Sequence, residues 1–239
     1  MSKRRGLEKS IDVSRKKPNN DVSKIPIKGR DKTPEMKQKE NTPTKERLLQ
    51  TAFHLFAEKG YHGTTVDEIV DMANINKRMV YYYFGNKEKL YGAVLAEAYK
   101  RLEELEVEIG EKTLPVEEWM SHIVRIYFDF HGNNPEFSKL VLWENLYYGR
   151  GLESQEMKIT KHPILKKLDE IITRGVKEGK LRKNLNARYL LISLIGLCQV
   201  YSANRYTLSQ TLGMDLGSEK ERKKGVEHTI DLLLNGILK

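Results

Sequence analysis

The feature that most constrains the fold is residues 65–84, TVDEIVDMANINKRMVYYYF, which crowd two helical patterns against one very short break. Thr65 and Glu68 have capping-box spacing, and Val66, Ile69, Val70 and Ala73 then recur at i, i+3, i+4, i+7. This predicts a short helix starting at Thr65. Asn74 suits the left-handed conformation of a tight turn, and Asn76 suits the cap of the helix that follows. That helix runs to about Phe84, where Gly85 and Asn86 stop it. Two short helices joined by so tight a turn form a helix-turn-helix.

The pattern around this unit is helical as well. Leu49, Ala52, Phe53 and Phe56 predict a first helix of about four turns ending near Gly60. A fourth helix runs from about Lys87 to Ile109, and further stretches follow at about 116–131, 135–148, 162–178, 186–211 and 219–236, each ended by Gly, Pro or Asn. No stretch alternates with period two, so the expected fold class is all-α: a three-helix helix-turn-helix domain followed by a helical bundle. The boundaries are 1–43 for a basic tail, 44–92 for the helix-turn-helix domain and 93–239 for the bundle. Gly196, inside LLISLIGLCQV, is compatible with close helix contact or with a tolerated interior glycine.

Charge and composition narrow the function. The net charge of +9 is concentrated in residues 1–47, with 15 Lys/Arg against 7 Asp/Glu, whereas the remainder balances 27 against 26. The tail is polar and punctuated by proline, the composition of a disordered segment. It reads either as a solvated extension or as a nucleic-acid-binding arm, since clusters such as KRR and RKK release counterions from phosphates. The single cysteine, Cys198, excludes an intramolecular disulfide and a cysteine zinc cage. No histidine pair has ligand spacing, and no apolar run reaches the ~18 residues of a membrane span. The chain therefore reads as cytoplasmic, with no metal or cofactor. No G-x-S-x-G, P-loop or strand-borne G-x-G-x-x-G is present, which argues against an enzyme.

The third helix carries the chemistry. Lys77 and Arg78 stand at its N-terminus, where a helix-turn-helix presents side chains to the major groove, and Arg78 can donate bidentately to guanine. Met79 offers apolar contact to a thymine methyl. Tyr81, Tyr82 and Tyr83 lie about 100° apart in succession and cannot all join Val80 and Phe84 on one buried face. They read either as semi-buried aromatics or as rings that pack on the protein while their hydroxyls reach DNA. Lys87, just past the turn, can neutralise a phosphate.

Residues 44–95 resemble the DNA-binding domain of the TetR family of transcriptional regulators. The resemblance rests on Ala52, Phe56, Gly60-Tyr61, Thr64-Thr65, Ile69, Ala73, Tyr81, Phe84, Lys87 and Leu90 in order and spacing. It implies that Thr65, Tyr81 and Lys87 anchor phosphates. By the same resemblance Lys77, Arg78, Met79, Tyr81 and Tyr82 read bases, with Asn76 and Tyr83 beside them. Arg78, Met79 and Tyr83 replace the glycine, threonine and histidine frequent in the family, which alters the expected operator preference.

The resemblance further implies a homodimer, a palindromic double-stranded operator and a small-molecule effector of unknown identity bound in the C-terminal half. NPEFSKLVLWENLYYGRGL and ANRYTLSQTLG are similar to the RutR-like subgroup. The expected pocket residues are Trp143, Glu144, Tyr147, Tyr148, Gln199, Tyr201, Asn204 and Arg205, with Arg205 as a partner for the Glu144 carboxylate. The expected dimer interface is the last two long segments, roughly 186–211 and 219–236, with Val226, Ile230, Leu233, Leu234 and Ile237 as the apolar stripe of the second. The competing reading is a non-regulatory nucleoid or division-site factor, favoured by the basic tail.

Overall fold

The computed structural model describes residues 43–111, 113–153 and 163–239; the basic segment, apart from Pro43, lies outside them. Among the described residues the chain is helical, and its extended pairing is limited to one antiparallel bridge between Leu181 and Leu238.

The helix-turn-helix forms where local chemistry specifies it. α1 (Thr44–Gly63) buries Leu48, Ala52, Phe53, Leu55, Phe56 and Ala57. α2 (Val66–Ala73) opens on a complete capping box: the Thr65 hydroxyl accepts from Glu68 N at 3.2 Å and Thr65 N donates to Glu68 Oε2 at 2.9 Å. Asn74 ends it in the left-handed conformation, φ 52 and ψ 53. α3 (Arg78–Phe84) follows, with Asn76 Oδ1 accepting from Arg78 N at 2.9 Å, and buries Val80 and Phe84. Asn86 Oδ1 then caps α4 (Lys87–Glu111) through Lys89 N. α4 runs without a break past residue 92, so one rigid helix joins the helix-turn-helix to the bundle.

The bundle is completed by α5 (Val116–Asn133), α6 (Pro135–Leu146), a 3-10 turn (Arg150–Glu153), α7 (Pro163–Lys177), α8 (Ala187–Ala203), α9 (Arg205–Leu212) and α10 (Glu219–Ile237). α5 lies at its centre, packed on α8 and α10, with Trp119, Met120, Ile123, Val124 and Tyr127 fully buried. α6 packs along α1, tying the helix-turn-helix end to the bundle.

Two expectations are corrected here. The stretch 186–211 is two helices, because Asn204 leaves helical geometry at φ −106 and ψ 12 and α9 restarts behind it. The first run of α1 does end at Gly60 as expected, where φ 68 and ψ 178 are not helical, and a short further turn reaches Gly63. The stripe on α10 is core rather than a dimer face, since Val226, Ile230, Leu233 and Ile237 pack against their own bundle. Gly196 has no neighbour within 4 Å of where a Cβ would stand, whereas buried Gly225 is closely approached by Tyr201 of a neighbouring helix.

His131, on α5, is buried with Nδ1 3.3 Å from Ser138 Oγ, and loss of hydration pushes its imidazole down to about 4. Between the ordinary value of 6.5 and about 4 the unfolded chain takes up a proton that the folded one refuses. This contribution is complete above pH 6.5 and is lost as pH falls to about 4, and the difference corresponds to at most about 3 kcal/mol. His131→Gln is expected to lose that part of the acid dependence. Urea unfolding of both proteins from pH 7 to 4 checks it; parallel curves would remove His131 from the account.

Candidate nucleic-acid interface

α1 and α4 hold α3 by Val80 and Phe84, leaving the opposite side in solvent. Asn76, Lys77 and Arg78 are exposed there, Tyr81 is 50% and Tyr82 77% accessible. Large aromatic rings this exposed lose hydrophobic stabilisation unless something covers them. Tyr83 and Met79 differ: both are half-buried against the core, and Tyr83 stands edge-on to Tyr82 with ring centroids 4.9 Å apart. The three tyrosines thus divide, two facing outward and one bracing the helix. Met79 offers only its remaining edge.

The cations are ordered before any ligand arrives. Lys77 Nζ lies 2.7 Å from Asp67 Oδ1, and that hydrogen bond raises the ammonium's affinity for its proton. Lys59 Nζ lies 2.7 Å from Glu68 Oε1; chiefly through this bond the Glu68 carboxyl is held at about 2, keeping the Thr65 cap in place. Lys87 rests over the ring of Tyr61, its Nζ 4.3 Å from the centroid, and partial burial lowers its pKa. Arg47 Nη2 donates to the carbonyls of Ala73 and Asn74, closing the C-terminus of α2, and Lys45 lies 5.9 Å from the centroid of the Phe84 ring. Arg47 and Lys45 carry no signal in the local sequence, because only the docking of α1 on its neighbours gives them these positions.

A short helix with cations and phenols on its free face, capped by a tight turn and held by two others, suits insertion in a DNA groove. Comparison with known proteins agrees. Residues 48–94 match the family described as bacterial regulatory proteins, tetR family, and residues 115–233 match the tetracyclin repressor-like C-terminal domain. The chain belongs to the TetR family of transcriptional regulators. It is 29% identical to the HTH-type transcriptional repressor NicS of Pseudomonas putida over 195 residues, covering 81% of this chain and 92% of NicS. It is 25% identical to the HTH-type transcriptional regulator RutR of Escherichia coli over 193 residues, covering 81% and 90%. Its fold matches the ketosteroid transcriptional regulator KstR2 of Mycobacterium tuberculosis at a TM-score of 0.64 and 20% identity, covering 83% and 96%.

In this TetR-family chain the expected pocket residues do not converge. Trp143 lies across the kink of α1, its Nε1 donating to Ala57 O at 3.2 Å. Glu144 is buried without Arg205: it accepts from Tyr91 Oη at 2.8 Å and from Gly151 N at 2.6 Å. Arg205 instead donates to Tyr206 Oη. Tyr147 stacks on Tyr61, and Tyr148 is 84% exposed. On α8, Tyr201 packs on Phe128, Gln199 is half-buried, and Asn204 is the exposed break before α9. None of these eight lines the groove of about 370 Å³ over Leu49 and Phe53 or the one of about 670 Å³ between the starts of α7 and α8. Among the described residues no group of His, Cys, Asp and Glu could hold a metal ion, and no helix is long and apolar enough to cross a membrane.

Proposed function

We propose that the protein is a homodimeric repressor that binds a palindromic operator through α3 and releases it when a small molecule occupies the bundle. The observation that carries the DNA half is the free face of α3, where Arg78, Tyr81 and Tyr82 stand exposed beside the ordered cations Lys77 and Lys87. Repression is supported by the likeness to NicS. A two-fold dimer presents two recognition helices to half-sites in inverted symmetry, about one helical turn or a multiple apart. An effector shifts this equilibrium only as far as it binds the released state better. The test is selection of duplexes by the protein from a random pool. A palindrome with two matching half-sites supports the reading, and scattered enrichment without symmetry favours a nucleoid or division-site role instead.

Dimerisation is supported by α8. Its inner side buries Leu190, Leu191, Leu194 and Cys198, while Tyr189, Ile192 and Val200 are exposed on the other, with Gly196 between them and Leu232 exposed on neighbouring α10. So apolar a free surface implies a covering partner. Ile192→Glu is expected to give monomers of unchanged helicity that bind the selected duplex poorly, measured by sedimentation and circular dichroism. A dimer that survives the substitution would move the interface elsewhere.

Arg78→Ala is expected to flatten preference at one base pair per half-site, by about 1 to 3 kcal/mol if its contact is bidentate to guanine. Competition by single-base variants of the duplex measures this. Equal losses on every duplex would take Arg78 out of the base-reading set.

A further inference from the structure

Lys87 is the expected phosphate anchor at the start of α4, and it does not wave in solvent. Its half-buried stem leaves the ammonium 4.3 Å from the Tyr61 ring centroid. The Tyr61 ring is in turn fixed: it stacks with Tyr147 at 5.5 Å and 26° and packs against Tyr91 at 5.2 Å. Tyr147 caps α6, its N–H donating to the carbonyls of Trp143 at 2.9 Å and Glu144 at 3.1 Å. A residue of the bundle therefore holds the ring on which a DNA-facing cation rests.

A lysine side chain normally loses its rotamer freedom when it binds, which weakens the contact it makes. A cation held over an aromatic face has lost that freedom on folding, and it remains free to donate to a phosphate oxygen on its other side. We propose that Tyr61 and Tyr147 are positioning residues for the Lys87–phosphate contact, an inference that rests on the DNA-binding reading above. The ring face is what matters, so phenylalanine serves at both positions and leucine at neither.

The experiment measures the slope of log K against log salt concentration for the duplex recovered by selection, in full-length protein. Each phosphate contact contributes a slope of about −0.9. Lys87→Ala is expected to flatten the slope by about that amount per protomer. Tyr61→Leu and Tyr147→Leu should flatten it similarly and add no further loss when combined with Lys87→Ala, whereas Tyr61→Phe and Tyr147→Phe should keep the parent slope. A tyrosine with a structural role alone would lower the melting temperature and leave the slope of the folded protein intact. That result, or losses that add to those of Lys87→Ala, overturns the proposal. If Lys87→Ala itself leaves the slope unchanged, Lys87 is not a phosphate contact, and the inference falls together with that assignment.

Discussion

Gly60→Ala is expected to lower the unfolding free energy by about 3 to 5 kcal/mol, from two separable causes. Gly60 has φ 68 and ψ 178, a region that side chains avoid, and holding alanine there costs of order 1 to 3 kcal/mol. A Cβ would also stand 2.7 Å from Cδ2 and Cε3 of Trp143. The indole cannot retreat without breaking its hydrogen bond to Ala57 O, so relief of the clash loses a contact between α6 and α1. The two parts can be told apart. In a Trp143→Ala background, Gly60→Ala should cost only the backbone part, about 1 to 3 kcal/mol. Urea denaturation of the four proteins measures the cycle. A Gly60→Ala protein within ~0.5 kcal/mol of the parent, the range of a neutral surface change, would mean that neither the kink nor the indole is held as described.

What was legible in the sequence is what local chemistry decides. The Thr65–Glu68 capping box, the left-handed Asn74 and the Asn76 cap each act within a few residues, and all form as expected. The stop at Gly60 is legible for the same reason, since a glycine after a lysine marks a helix end locally, whereas the Trp143 ring that fills the space beside it lies 83 positions further on in the numbering. The third helix shows a limit of another kind. Periodicity requires at least one of Tyr81, Tyr82 and Tyr83 to face outward, but which one is set by packing on α1 and α4, which braces Tyr83. Dimerisation is expected through both 186–211 and 219–236, but the stripe named on α10 turns inward, because an amphipathic pattern reveals one apolar face per helix and not what covers it. α8 is apolar on two faces, with Leu190 and Leu194 inside and Tyr189 and Ile192 outside, and that excess was the more informative signal. Residue type singles out the eight pocket candidates, and type does not say whether a polar group faces a ligand or its own fold.

Glu144 is the clearest such case and leads to the other large expected effect. Its carboxyl group is buried at 2% accessibility, with Oε2 accepting from Tyr91 Oη and Oε1 from the backbone N–H groups of Gly151 and Leu152, at 2.6 and 3.3 Å. These donors come from α4 and from the 3-10 turn, so one side chain joins three elements beside the helix-turn-helix. Gly151 is required for the approach, because a Cβ there would stand 2.7 Å from Glu144 Oε2 and 2.6 Å from the Tyr91 ring. Glu144→Ala would orphan the buried Tyr91 hydroxyl and the Gly151 N–H, at about 1 to 3 kcal/mol each. The expected destabilisation is therefore about 3 to 5 kcal/mol, measured by urea unfolding. Glu144→Gln keeps an acceptor for Gly151 N, and its amide can donate to a reoriented Tyr91 hydroxyl, so about 1 kcal/mol is expected. Tyr91→Phe removes one donor cleanly and should reduce the cost of Glu144→Ala when the two are combined. Were Glu144→Ala as stable as the parent, with an effector then required to restore the parent's DNA release, the carboxyl group would belong to a ligand site after all, and its contacts with Tyr91 and Gly151 would be incidental to folding.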